Sequence, residues 1–108
     1  MAKLSVVFLQ SPEYLRFELN GRLDASNAYN FSDAVSAAIR DRPEKSVVFD
    51  CGKLEYVSSA GLRAFLTLHK RQGLAVKLVN VTDSVRNILT VSGFSQIFDV
   101  ESSGGNKE

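Results

Sequence analysis

EYVSSAGLRAFL, residues 55–66, joins a β-like apolar run to the first turn of an amphipathic helix, and it sets Ser58 and Ser59 at the join. Downstream, Leu62, Phe65, Leu66 and His69 recur on one helical face. Serine is favoured directly before such a stripe, because its oxygen accepts from a backbone N–H that the helix leaves unpaired. Upstream, SVVFD at 46–50 is too short for a helix and flanked by charge, which suits a buried central strand. The two serines therefore mark a strand-to-helix junction.

Working outward, LSVVFL at 4–9 and YLRFEL at 14–19 are β-rich runs separated by QSPE, and Pro12 marks the turn of a hairpin. In NGRLDAS, Asp24 and Ser26 are candidate caps for a helix whose apolar stripe is Ala28, Phe31, Val35, Ala38 and Ile39, ending before Pro43. The second helix carries Lys70 and Arg71 in its last turn and Gly73 at its C-terminal cap, both favourable there. AVKLVNV at 75–81 reads as a strand, with Thr82 or Asp83 capping a third helix over Val85, Ile88 and Leu89 that stops near Gly93. Phe94, Ile97 and Phe98 then predict a short final strand. The order β-β-α-β-α-β-α-β predicts an α/β domain, a mixed sheet covered by helices, with right-handed crossovers between parallel strands.

The chain has 108 residues, 44% of them hydrophobic, enough for one core and too few for a second domain. One domain is expected over residues 1–100, followed by a disordered polar tail, ESSGGNKE, at 101–108. Thirteen basic and twelve acidic residues give a net charge of +1, so no global field marks a nucleic-acid or membrane-surface binder. No apolar run reaches the roughly 20 residues of a spanning helix. The N-terminus has no cleavable leader pattern, which makes a mature cytoplasmic protein the simplest expectation. Cys51 is the sole cysteine and His69 the sole histidine, so an internal disulfide and a multi-cysteine metal site are both excluded.

Three roles compete for the serines. Either can cap the helix, a role worth about 0.5–2 kcal/mol against Ala. A catalytic nucleophile fits poorly: Val57 stands where a nucleophile elbow needs Gly, and His69 lies about a helix length from Ser59 on the apolar face. Without a general base, intrinsic catalysis is the weakest reading. In the third role Ser59 accepts a phosphate, which adds about −1.5 to −2 charge that helix N–H groups can solvate. A charge placed there alters partner binding without unfolding the domain. No phosphate loop or dinucleotide turn is present, so no cofactor is expected.

The motifs resemble those of the STAS domain family, specifically its small bacterial anti-sigma-factor antagonists. Gly21-Arg22-Leu23-Asp24 resembles the family's G-x-L-D, and Val47 to Asp50 followed by Leu54 and Tyr56 to Leu62 is similar to its buried strand and loop-to-helix junction. Val91-Ser92-Gly93-Phe94 with Ile97-Phe98 resembles the family's ending, so the likeness spans residues 4 to 100. It implies a non-enzymatic binding module. In its unphosphorylated form the module binds an anti-sigma factor, a serine kinase of the histidine-kinase-like type, and so releases a sigma factor. The kinase phosphorylates the module and a PP2C-type phosphatase reverses the step. Aligned through Gly61-Leu62, the acceptor is Ser59, with Ser58 the weaker candidate at a position that is often Asp. The resemblance also implies partner contacts at Asp24, Ser58, Ser59, Ala60 and Gly61. Gly61 suits close approach by a partner backbone, and Arg63 and Ala64 point away from the apolar stripe as surface contacts. The family's common C-terminal helix has no counterpart in ESSGGNKE, and the sequence leaves the oligomeric state open. The alternative is a STAS scaffold or accessory subunit of a signalling or lipid-transport complex, with Ser59 chiefly a cap.

Overall fold

The alternation of apolar and polar residues in the strands decides which side of the sheet the helices cover. In the computed structural model, which describes residues 4–10, 13–40, 46–72 and 76–102, the elements are β1 (Leu4–Gln10), β2 (Tyr14–Leu23), α1 (Ala28–Arg40), β3 (Ser46–Val57), α2 (Ser59–Gln72), β4 (Val76–Val81), α3 (Asp83–Val91) and β5 (Asp99–Ser102). They build a five-stranded mixed sheet in the order β1-β2-β3-β4-β5, with β1 antiparallel to β2 and every other neighbouring pair parallel. Leu15, Phe17 and Leu19 of β2, Val47, Phe49 and Cys51 of β3, and Val76 and Leu78 of β4 share one buried face. Phe31 of α1 and Phe65 of α2 pack on Phe49 with ring centroids 5.6 and 5.1 Å away, and Phe65 meets Phe98 at 6.3 Å. One aromatic cluster therefore fixes two helices and the last connection on the sheet.

The expected α/β order is the one observed, with three local corrections. The central strand does not stop at Asp50 but continues to Val57, because Leu54 and Val57 return to the buried face after the exposed Gly52-Lys53 pair. A register shift against β2 between Glu18 and Asn20 absorbs that interruption. The final strand is not at 94–98. Gly93, at φ 84°, turns the chain into a short 3₁₀ turn, Phe94–Gln96, which brings Phe94 and Phe98 onto the core one turn apart. The strand follows at Asp99–Ser102, so Glu101 and Ser102 belong to the sheet rather than the tail, and Glu101 pairs with Lys77 at 2.6 Å. The expected roles of Pro12, Pro43 and Gly73, and the remainder of the tail, lie outside the described residues.

The opposite face of the sheet carries Arg16, Glu18, Asp50 and Lys77, and two shallow hollows there are lined by strand residues and Glu13, with no helix residue in either. Asp50 organises this face. Its Oδ1 accepts from the Gly52 N–H at 3.0 Å and the Asn80 amide at 3.1 Å, and its Oδ2 accepts from Arg16. Partial burial pushes the carboxyl up, but these donors outweigh burial and hold it below the usual carboxylate range. A depressed pKa stabilises the fold fully above the unfolded value, about 3.9, and that contribution is lost as pH falls through the folded value. Urea unfolding of the wild type should therefore weaken more steeply than that of Asp50→Asn between about pH 5 and pH 2. Parallel acid limbs would show that Asp50 gains nothing from its partners.

Candidate functional site

The parallel strands β2 and β3 end side by side, at Leu23 and Val57, and the next residue of the chain is Ser58. The Ser58 N–H donates to the Leu23 carbonyl at 2.9 Å, which ties the start of α2 to the end of β2. Ser58 Oγ accepts from the Gly61 N–H at 3.2 Å, and the Ser58 carbonyl accepts from the Leu62 N–H at 2.9 Å. That is the geometry of a helix N-cap. Ser58 is the cap, which corrects the reading of Ser59 as one. Ser59 is the first helical residue, exposed, and its hydroxyl has no hydrogen-bond partner among the described residues. The first turn of α2 contains no acidic residue, so the positive end of the helix is not already neutralised.

Gly61 and Ala64, expected at a partner surface, are placed differently. A Cβ on Gly61 would stand 2.9 Å from both the Leu23 carbonyl oxygen and its Cγ, and 3.0 Å from Val57 Cγ1. The glycine thus admits the close approach of the protein's own strand ends. Ala64 is only 6% exposed, because the helix packs on the sheet across a stripe wide enough to include Ala64 and Leu68 beside Leu62 and Phe65. Arg63 is exposed and Ala60 half-buried.

Asp24 stands at the entry to α1. Its Oδ1 accepts from the Ser26 hydroxyl at 2.6 Å and the Ser26 N–H at 3.0 Å, while its own N–H donates to Asn27 Oδ1 at 3.0 Å. Its carbonyl accepts from Ala28 at 2.9 Å, continuous with the helix. The Ser26 hydroxyl bond is the main reason that the Asp24 carboxyl lies below its ordinary pKa. Asp24 is therefore a fixed negative charge at neutral pH that also shapes the turn.

A groove of about 340 Å³ runs beside Ser59 between the end of β3, α2 and α3, with Tyr56, Leu62, Asn87, Ile88 and Val91 among its lining residues. Val91 is 79% exposed, an apolar side chain off the buried stripe of α3. The Arg22 guanidinium lies 4.5 Å from the centre of the Tyr56 ring. Sequence reading missed this groove; the exposed apolar Val91 was its one visible sign. The sole cysteine and the sole histidine are both taken up in packing. Cys51 is buried and its thiol is pushed up to about 12, and His69 packs edge-on against Phe98 at 5.7 Å.

Comparison with known proteins bears on the same region. A family model described as the STAS domain matches residues 5–105. A protein of Bordetella bronchiseptica provisionally named anti-sigma factor antagonist BtrV is 38% identical over 89 residues, covering 79% of this chain and 75% of that protein. Among solved structures, an anti-sigma factor antagonist from Mycobacterium paratuberculosis superposes with a TM-score of 0.80 at 17% identity, over 92% of this chain and 86% of that one. The anti-sigma factor antagonist SpoIIAA in its unphosphorylated form matches with a TM-score of 0.65 at 16% identity, over 92% and 86% of the two chains.

The two serines separate in a stability experiment. Ser58→Ala should lower the unfolding free energy by about 0.5–2 kcal/mol in chemical denaturation, the usual cost of losing a cap. Ser59→Ala should stay within about 0.5 kcal/mol of wild type, as expected of an exposed position. The reverse order would move the cap to Ser59.

Proposed function

The chain belongs to the STAS domain family, and on that premise we propose that it is an anti-sigma-factor antagonist whose partner binding is switched by phosphorylation of Ser59. The observation that carries the reading is the division of labour at the junction: Ser58 holds the helix, and the Ser59 hydroxyl is exposed and unengaged among the described residues. The name of the Bordetella relative, and the existence of an unphosphorylated form of SpoIIAA as a distinct state, support it.

In this account the unmodified chain docks on an anti-sigma factor of the histidine-kinase-like serine kinase type in the cytoplasm, and a sigma factor is released. Asp24, Ser58, Ser59, Ala60 and Arg63 surround the contact, and the groove past Tyr56 and Val91 supplies its apolar part. Gly61 and Ala64 act from beneath by seating the helix. The kinase binds ATP and Mg²⁺ and transfers the γ-phosphoryl group to Ser59 Oγ: the new O–P bond replaces the bond to the β-phosphate oxygen, ADP leaves, and the hydroxyl proton passes to a base of the kinase or to water. The chain is the substrate in that step rather than the catalyst. The phosphate brings about −1.5 to −2 charge, which the free N–H groups of the first turn of α2 solvate, so the fold persists. The same charge desolvates poorly against a partner and repels its acidic groups, so the complex dissociates. A PP2C-type phosphatase resets the switch.

The test is site-mapping mass spectrometry after incubation with ATP, Mg²⁺ and candidate kinases, on wild type, Ser58→Ala and Ser59→Ala. One added phosphate that survives in Ser58→Ala and vanishes in Ser59→Ala is the expected result. Absence of phosphate with every such kinase would favour a scaffold role instead.

A further inference from the structure

β1 occupies one edge of the sheet and pairs on one side only, with β2, in a seven-residue register without a shift. Its outer row of backbone N–H and C=O groups has no ladder partner among the described residues. Natural edge strands are usually guarded by lysine, proline, a bulge or brevity. LSVVFLQ has none of these and no charge at all. Val6, Val7, Phe8 and Leu9 are 40, 48, 42 and 43% exposed. Both faces of the strand contribute: Phe8 stacks on Phe17 at 5.1 Å on the helix side, and Val7 lines a hollow on the open side opposite Glu18.

We propose that β1 is a self-association edge, on which the β1 strand of a second copy pairs antiparallel about Val7. The unpaired backbone row is complementary to a further strand, and the side chains beside it to an uncharged, apolar one. β1 itself meets both conditions. Centred on Val7, the two copies align Val7 with Val7, Val6 with Phe8 and Ser5 with Leu9, so each residue meets a neighbour from its own face of the sheet. Apolar and β-branched pairs of this kind stabilise antiparallel strands. The two Glu18 side chains stand three strand spacings apart, about 14 Å, beyond the screening length of about 8 Å at physiological salt. The other edge is unsuited: β5 carries Asp99 and Glu101, whose charges already engage Lys77, and pairing two such strands opposes acids. The result is a two-fold dimer with one sheet continuous across both copies. This surface is independent of Ser59, which follows β3 on the far side of β2.

One strand per copy makes a small interface, at or below about 1,200 Å² in total, so the dimer is reversible and concentration-dependent. Sedimentation equilibrium of the full chain should show the mass rising from 11.9 kDa toward twice that value as concentration increases. Val7→Lys places like charges against each other at the two-fold axis and should hold the chain monomeric, as should Val7→Glu, with circular dichroism verifying the fold of each. An equimolar mixture of the two variants should regain the dimer, because the axis then pairs Lys with Glu. The proposal fails if wild type stays monomeric, if Val7→Lys associates like wild type, or if the mixture remains monomeric. A wild type that stays monomeric yet captures an apolar strand peptide would assign the edge to a different partner.

Discussion

The hydrogen bond from the Ser58 N–H to the Leu23 carbonyl is the contact on which the site depends. It joins the end of one strand to the start of the helix that follows its neighbour, and it exists only because Gly61 leaves room for Leu23. With a side chain at that position, α2 would have to lift from the strand ends, and Ser58 would lose either its backbone bond or its cap. The exposed location of Ser59 is a consequence. Once Ser58 Oγ is turned inward to the Gly61 amide, the next residue begins the helix with its hydroxyl facing outward. The capping role thereby falls to Ser58, and the adjacent Ser59 is left exposed.

The aromatic cluster makes that arrangement stiff. Phe49 touches Phe17, Phe31 and Phe65, one ring from each neighbouring layer element, and Phe65 lies six residues beyond Ser59 on the same helix. The helix is thus held at its N-terminus by hydrogen bonds and along its length by packed rings. A rigid helix end suits a phosphate switch, since added charge then changes what the surface repels rather than how the chain folds.

Much of this was legible in the sequence, for identifiable reasons. The 3.6-residue stripes located α1, α2 and α3, and the alternation in YLRFEL located β2, because each element buries one face only. β3 was underestimated because Gly52 and Lys53 break its apolar pattern, while its pairing with β2 carries on past them. The last strand lies beyond Phe94 and Phe98, because these mark a turn that packs on the core, and apolar content alone does not distinguish that from a strand. Ala64 lies outside the apolar stripe visible in the sequence, yet the surface that α2 covers is wide enough to bury it. Which of the two adjacent serines caps α2 is decided by where the helix begins, and spacing alone leaves that open by one residue.

In the proposed switch Ser59 takes the phosphate, while Ser58 and Gly61 hold the helix on the strand ends. The most direct measurement is calorimetric titration of the proposed anti-sigma factor partner with the Ser59-phosphorylated and the unmodified chain, with the thermal unfolding midpoint of each form recorded alongside. Phosphorylation should cost at least about a tenfold loss of affinity, some 1.4 kcal/mol, with closely similar midpoints. Equal affinities, or a phosphorylated form that binds weakly only because it has unfolded, would contradict it.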